Sequence, residues 1–212
     1  MRILILIFAV VILFFSVILH EIAHGLMAER HGDSTARIMG RITLNPIPHI
    51  DPIGTVLLPG IMILMNIFGG GIPIFGWAKP VPINPRNLNN PKRDMIWIAL
   101  AGPATNLGIA LLLALLFRVL GGPESLAGVI LFYGITINLF LAFFNLIPIP
   151  PLDGSRILSG ILPERYSYHL SQIEPFGFII LIVLLVGGLF NYMFLALLKL
   201  SYILAGSPFF MW

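Results

Sequence analysis

Five long apolar stretches organise the chain, at about 3–28, 52–71, 94–118, 126–147 and 175–204, with short polar segments between them. A hydrocarbon core of roughly 30 Å takes about 20 helical residues to cross, so each stretch is a candidate span. The first opens Met1-Arg2 and runs apolar from Ile3 to Leu19, like a signal peptide. It lacks a small-residue cleavage site and continues through His20-Glu21, so it reads as a retained membrane helix. The second is irregular: it starts Asp51-Pro52, carries Pro59-Gly60, and ends in Gly69-Gly70-Gly71. Proline removes a backbone donor and glycine loosens a helix, which predicts bends rather than one straight rod. After it, Gly76-Trp77-Ala78-Lys79-Pro80-Val81-Pro82 reads as an extended loop with an interfacial Trp. Residues 33–50, β-branched and without helical period, read as short strands or a hairpin. The last stretch is interrupted at Gly187-Gly188 and predicts one span followed by an interfacial helix near 192–204. The expected fold class is therefore all-α and polytopic. It has about four full transmembrane helices, a re-entrant or returning segment near 52–93, a short strand-like region near 33–50, and one domain over 1–212.

Composition sharpens this. Of 212 residues, 58% are hydrophobic and only 10% charged, far from the balance of a soluble domain. A net charge of +3, scattered along the chain, offers no phosphate-tracking surface, which excludes a nucleic-acid partner. With zero cysteines there is no disulfide framework, thiolate zinc site or cysteine nucleophile. Any metal must be held by His, Asp or Glu.

The first stretch ends in His20-Glu21-Ile22-Ala23-His24, an H-E-x-x-H pattern. Histidines four apart stack on one helix face and can share a zinc ion, while the adjacent Glu can take a proton from water. Two imidazoles and a carboxylate in an apolar helix are costly unless something pairs with them; the plainer reading is a satisfied polar cluster at a helix end. A catalytic zinc usually has three protein ligands. The soluble extension of the motif fails, because Met27 and Arg30 stand where its Gly and third His belong, His31 is one residue off, and Glu29 follows too closely. Asp153 is the best remaining candidate. It sits in Asn145-Leu146-Ile147-Pro148-Ile149-Pro150-Pro151-Leu152-Asp153-Gly154, where prolines end a helix and Gly154 would let the backbone turn the carboxylate inward. The alternative for this residue is a solvated Asp in a Pro-Gly loop.

Three motifs in this order resemble the site-2 proteases, which are intramembrane zinc metalloproteases: His20 to Gly25, Ala101-Gly102-Pro103-Ala104-Thr105-Asn106, and Asn145 to Gly154. The Gly76 to Pro85 stretch is similar to compact prokaryotic members, and the likeness runs over about 1–165. The resemblance implies one zinc ion on His20, His24 and Asp153, with Glu21 as catalytic base. It also implies Asn145 as a substrate-binding residue and places Asn106, of the Gly-Pro-x-x-Asn motif, beside it in that role. Membrane-spanning protein substrates within the lipid bilayer follow from the same likeness. No helix before the metal helix is expected, and no PDZ or other regulatory domain. The rival classes are a zinc transporter or membrane scaffold, and an inactive relative.

The ligand set makes a demand on topology. His24 lies at the far end of the first helix, and Asp153 follows the 126–147 helix, so both reach one face only if 52–93 returns to the side it left. With that return, Arg30, Arg37, Arg41, Lys79, Arg86, Lys92, Arg93, Arg156 and Arg165 share the face with the site, against Arg2, Arg118 and Lys199 opposite. The positive-inside bias then predicts a cell-membrane protein with its site toward the cytoplasm. A full crossing would divide the same charges five against seven and orient nothing. Among smaller features, Asp51 is expected to cap the following segment, Gly102 and Gly108 to allow close helix contact, and Trp77, Trp97 and Trp212 to lie at the interface.

Overall fold

A computed structural model describes residues 2–69, 76–120 and 125–206; Gly70, Gly71 and Trp212 fall outside them. Helix α1 (Arg2–Arg30) is followed by α2 (Thr35–Ile38), α3 (Leu58–Ile67), α4 (Pro91–Leu120), α5 (Leu126–Asn145), α6 (Asp153–Ile161), α7 (Glu164–Ile173), α8 (Gly177–Val186) and α9 (Leu189–Ala205). Four helical stretches are long and apolar enough to cross a membrane: Ile3–Arg30, Pro91–Leu120, Leu126–Asn145 and Glu164–Val186. The all-α, polytopic expectation holds.

The core is built on α4. Small residues along it, Ala99, Ala101, Gly102, Ala110 and Ala114, are buried, and small side chains let helices approach closely where lipid gives no hydrophobic drive to associate. Ala110, Ala114 and Phe117 of α4 pack with Ile135 and Leu139 of α5 and Leu197 and Ala205 of α9. The first half of α1 exposes Ile3, Leu6, Ile7, Val10 and Val11, as a lipid-facing surface does; burial begins at Ser16 and continues through Ile18, His20, Ile22, His24 and Ala28. Gly108, in contrast, faces open space and mediates no helix contact.

The 52–93 segment returns. Asp51 Oδ1 accepts from the amides of Ile53 at 3.0 Å and Gly54 at 2.7 Å, starting a π-helical turn (Pro52–Leu57) that runs into α3. By residue 77 the chain is back beside its own entry. The Trp77 amide donates to Gly54 O at 3.2 Å, the Lys79 amide donates to His49 O at 2.9 Å, and Thr55 Oγ1 donates to Trp77 O at 2.8 Å. Gly54 is required there, because any Cβ would lie inside the Trp77 indole. The end of α1 and the start of α4 are also tied: the Asn89 amide donates to His31 O at 3.1 Å, and His31 Nδ1 lies 3.1 Å from Asp94 Oδ1.

Two local expectations are corrected. Residues 33–50 contain no strand; they form α2, turns and a 3-10 turn at Ile47–His49. Short polar side chains satisfy the local backbone in place of a ladder. Asp33 Oδ1 accepts from the Thr35 amide, Asn45 Oδ1 accepts from the Ile47 amide, and Pro46 and Pro48 have no amide to offer. Burial opposes the charge of Asp33, yet hydrogen bonds from Thr35, Asn87 and Asn84 outweigh it and hold the carboxyl below its ordinary range. The helix near 192–204 is not interfacial. As α9 it packs along α4 and α5 from Phe190, against Phe144 at one end, to the carbonyls of Ile203 and Leu204, which the Arg118 guanidinium caps at the other. Its apolar face found partners that the chain's order along the sequence does not reveal.

Candidate metal centre

The histidines of the H-E-x-x-H motif lie on the buried half of α1, one turn apart, and α6 brings Asp153 to them. His24 Nε2 is 3.0 Å from His20 Nε2, and Asp153 Oδ2 is 3.1 Å from His20 Nε2 and 3.3 Å from His24 Nε2. All three residues are buried.

Protons decide what this triangle is. His20 Nδ1 donates to Asn106 Oδ1 at 2.6 Å, and His24 Nδ1 donates to Ile98 O at 2.6 Å. Each acceptor is an oxygen, so in the neutral form of each ring Nδ1 carries the hydrogen and Nε2 presents a lone pair. Asp153 Oδ2 is buried and has no hydrogen-bond partner. Three acceptors therefore converge without a donor among them, which is destabilising unless a cation sits between them. Atoms bound to zinc at 2.0–2.1 Å in tetrahedral geometry stand about 3.4 Å apart, close to the observed edges. The donor set fits a metal ion.

The surroundings are shaped to this group. Gly102 of α4 lies against both rings: a Cβ there would be 2.5 Å from His20 Cε1 and 2.5 Å from His24 Nε2. At the start of α6, Ser155 caps the turn, its amide donating to Leu152 O at 3.0 Å and its hydroxyl to the same oxygen at 2.7 Å. Gly154 contributes through its lack of a side chain, and no left-handed conformation is needed. A Cβ on it would overlap the carbonyls of Leu146 and Ile147, on which this turn rests.

Glu21 is half-buried, and its Oε2 accepts from the Val81 amide at 2.7 Å, so the extended stretch after the returning segment fixes the carboxylate beside the histidines. Asn106 is placed differently from expectation. It is fully buried; besides holding His20, its Nδ2 donates to Asn138 Oδ1 at 3.0 Å and to Ser16 O at 3.3 Å. Its amide is used inside the protein, behind the ring. Asn145 ends α5 half-buried, with Nδ2 donating to Leu141 O at 2.9 Å, and among the described residues no contact joins it to the triangle.

Sequence reasoning missed the rest of the buried network. Asn138 Nδ2 donates to Ser16 Oγ and to Gly134 O, both at 2.9 Å, so α5 and α1 are joined through Asn106 of α4 to His20. The available signal was a polar residue inside each of two apolar runs, which at membrane depth is costly unless it has a task.

The family model for Peptidase family M50 matches residues 8–129 and 124–188. "Putative zinc metalloprotease YwhC" of Bacillus subtilis is 39% identical over 193 residues, covering 87% of this chain and 83% of that protein. The Rip2 protein of Mycolicibacterium smegmatis, of the same designation, is 33% identical over 86% of this chain and 68% of its own length. "Zinc metalloprotease MJ0392" of Methanocaldococcus jannaschii is 30% identical over 74% of this chain and 35% of its own. No solved structure matches. With its motifs in order and most of its length matched, the chain belongs to peptidase family M50, the family of the site-2 proteases.

Proposed function

We propose that this chain is an intramembrane zinc endopeptidase, a single domain over 1–212, that hydrolyses peptide bonds within or near transmembrane segments of membrane-anchored proteins. The observation that carries the reading is the convergence of His20 Nε2, His24 Nε2 and Asp153 Oδ2 within 3.3 Å of one another, beside an oriented glutamate, in helices made for a bilayer. His20, His24 and Asp153 would hold one zinc, as the relatives' names also support. Bound there, zinc supplies a Lewis acid that polarises a carbonyl and acidifies water. Glu21 accepts the proton of the attacking water and delivers it to the leaving amine nitrogen. Asn106 positions His20: its oxygen fixes the ring's tautomer and tilt, as an outer partner of a ligating histidine does. Asn145 is assigned to the substrate, on the strength of its place in the Asn145 to Gly154 motif.

A peptide bond in an intact helix is shielded by its own hydrogen bonds, so the substrate unwinds before it is cut. With no strand in 33–50, the edge offered to it is the extended 76–84 stretch, whose Val81 amide already holds Glu21. The nine cations assigned to the face of the site favour a cell-membrane protein with that face toward the cytoplasm.

The test is cleavage of a single-span substrate by the purified chain in liposomes, with the products mapped by mass spectrometry. Cuts inside or next to the apolar segment are expected, lost on metal chelation and restored by zinc. Cleavage confined to soluble loops, or undiminished after chelation, would overturn the proposal.

A further inference from the structure

Outside the triangle, a cavity of about 790 Å³ lies between the extended 80–83 stretch, the start of α4, and helices α6 and α7. It adjoins the site: its lining includes Val81, whose amide holds Glu21, and Ser155, two residues after Asp153. Its lining also includes the exposed Lys92, Arg156 and Glu174. Lys92 and Arg156 are exposed, and among the described residues neither has an ion-pair partner.

The hydroxyl groups show what would fit. Ser155 Oγ donates to Leu152 O at 2.7 Å, Ser171 Oγ donates to Tyr168 O at 2.7 Å, and the hydroxyls of Ser159 and Ser167 bond to each other. Their protons are largely committed inside the protein, so the walls offer mostly lone pairs. A phosphate group brings only acceptors and would find lone pairs and the Glu174 carboxylate in its way. A polypeptide brings amide donors for those lone pairs and, where it carries Asp or Glu, charges for the two free cations. Six of the lining residues are prolines, whose fixed φ leaves the walls little conformational freedom to lose on binding.

We infer that this cavity receives the polar tail adjoining the cleaved segment, on the side of the site, and favours tails with acidic residues near the cut. The inference rests on the proposed protease function, whose substrates it narrows.

The experiment compares one transmembrane segment carrying an acidic, a neutral or a lysine-rich tail. The readout is the ratio of kcat/KM values for wild type, Lys92→Gln/Arg156→Gln, and Arg165→Gln, an exposed cation outside the cavity lining. Wild type and Arg165→Gln should favour the acidic over the neutral tail by about tenfold, mainly through KM, with the lysine tail poorest. The double variant should bring the ratio close to one. Equal cleavage of acidic and neutral tails by wild type, or a preference that survives the double substitution, would overturn the inference. A second arm keeps it separate from the protease reading: fluorescence anisotropy of a labelled acidic tail peptide on the purified chain, with inorganic phosphate and phosphatidylglycerol vesicles as competitors. If no tail is cleaved, the function proposal fails. Peptide binding lost in the double variant would still support the cavity's role, and no peptide binding, or binding displaced by phosphate or vesicles, would contradict it.

Discussion

Glu21→Gln should reduce cleavage by about 10²–10⁴-fold while leaving the fold and the metal in place. Gln has the same shape and keeps a carbonyl oxygen, so it still accepts the Val81 amide that holds Glu21 at 2.7 Å. His20 Nε2, His24 Nε2 and Asp153 Oδ2 are untouched, so metal content should match wild type. The lost capacity is proton acceptance: an amide cannot take the proton of the attacking water or return it to the leaving nitrogen. The fall should appear in kcat with KM little changed, since Glu21 acts on the reacting water and not on the substrate's flanks. A transporter or scaffold with the same ligands would tolerate this substitution, so the variant separates the classes. Near-wild-type cleavage by Glu21→Gln would sink the mechanism.

Gly102→Ala should be nearly as damaging, although it adds one methyl group to a helix. That methyl would stand 2.5 Å from both His20 Cε1 and His24 Nε2, closer than real contacts allow. The rings have little room to yield, because the Nδ1 atoms are held by Asn106 and Ile98 at 2.6 Å. Either α4 shifts away or the ligand atoms part, and a displacement of about 1 Å near a reacting centre can cost about 10²-fold in rate. Weaker metal retention should accompany the loss. Gly108→Ala on the same helix is the control: that position faces open space. Ala is the better helix former by about 0.5–1 kcal/mol, so this variant should keep its activity and be at least as stable. If the two substitutions behave alike, the close packing at Gly102 is not what holds the site.

The contrast between Gly102 and Gly108 marks where the sequence could be read and where it could not. Spacing put His20 and His24 on one face, because four residues are close to one helical turn, and motif order brought in Asp153 from 129 positions away. The return of 52–93 was required by a shared face and by charge, and the Trp77–Gly54 and Lys79–His49 bonds supply it. Which of two glycines touches the histidines depends on the rotation of α4, which its sequence alone does not set. The packing of α9 on α4 and α5 is likewise a choice of partner made by the whole bundle. The strands read into 33–50 failed because β-branched residues there are outvoted by Asp33, Asn45, Pro46 and Pro48. Asn106 was legible as a motif residue, but its role was not. Its burial behind His20, with Asn138 and Ser16 beyond, is what the supporting role proposed for it rests on.

The most direct test of the central claim is the zinc content of the purified chain, wild type against Asp153→Ala, after dialysis at one fixed free-zinc concentration. Wild type should hold about one zinc per chain and Asp153→Ala should lose most of it, with the helical content of both proteins the same. Full zinc retention by Asp153→Ala would contradict that claim, removing the third ligand and, with it, the reason for 52–93 to return.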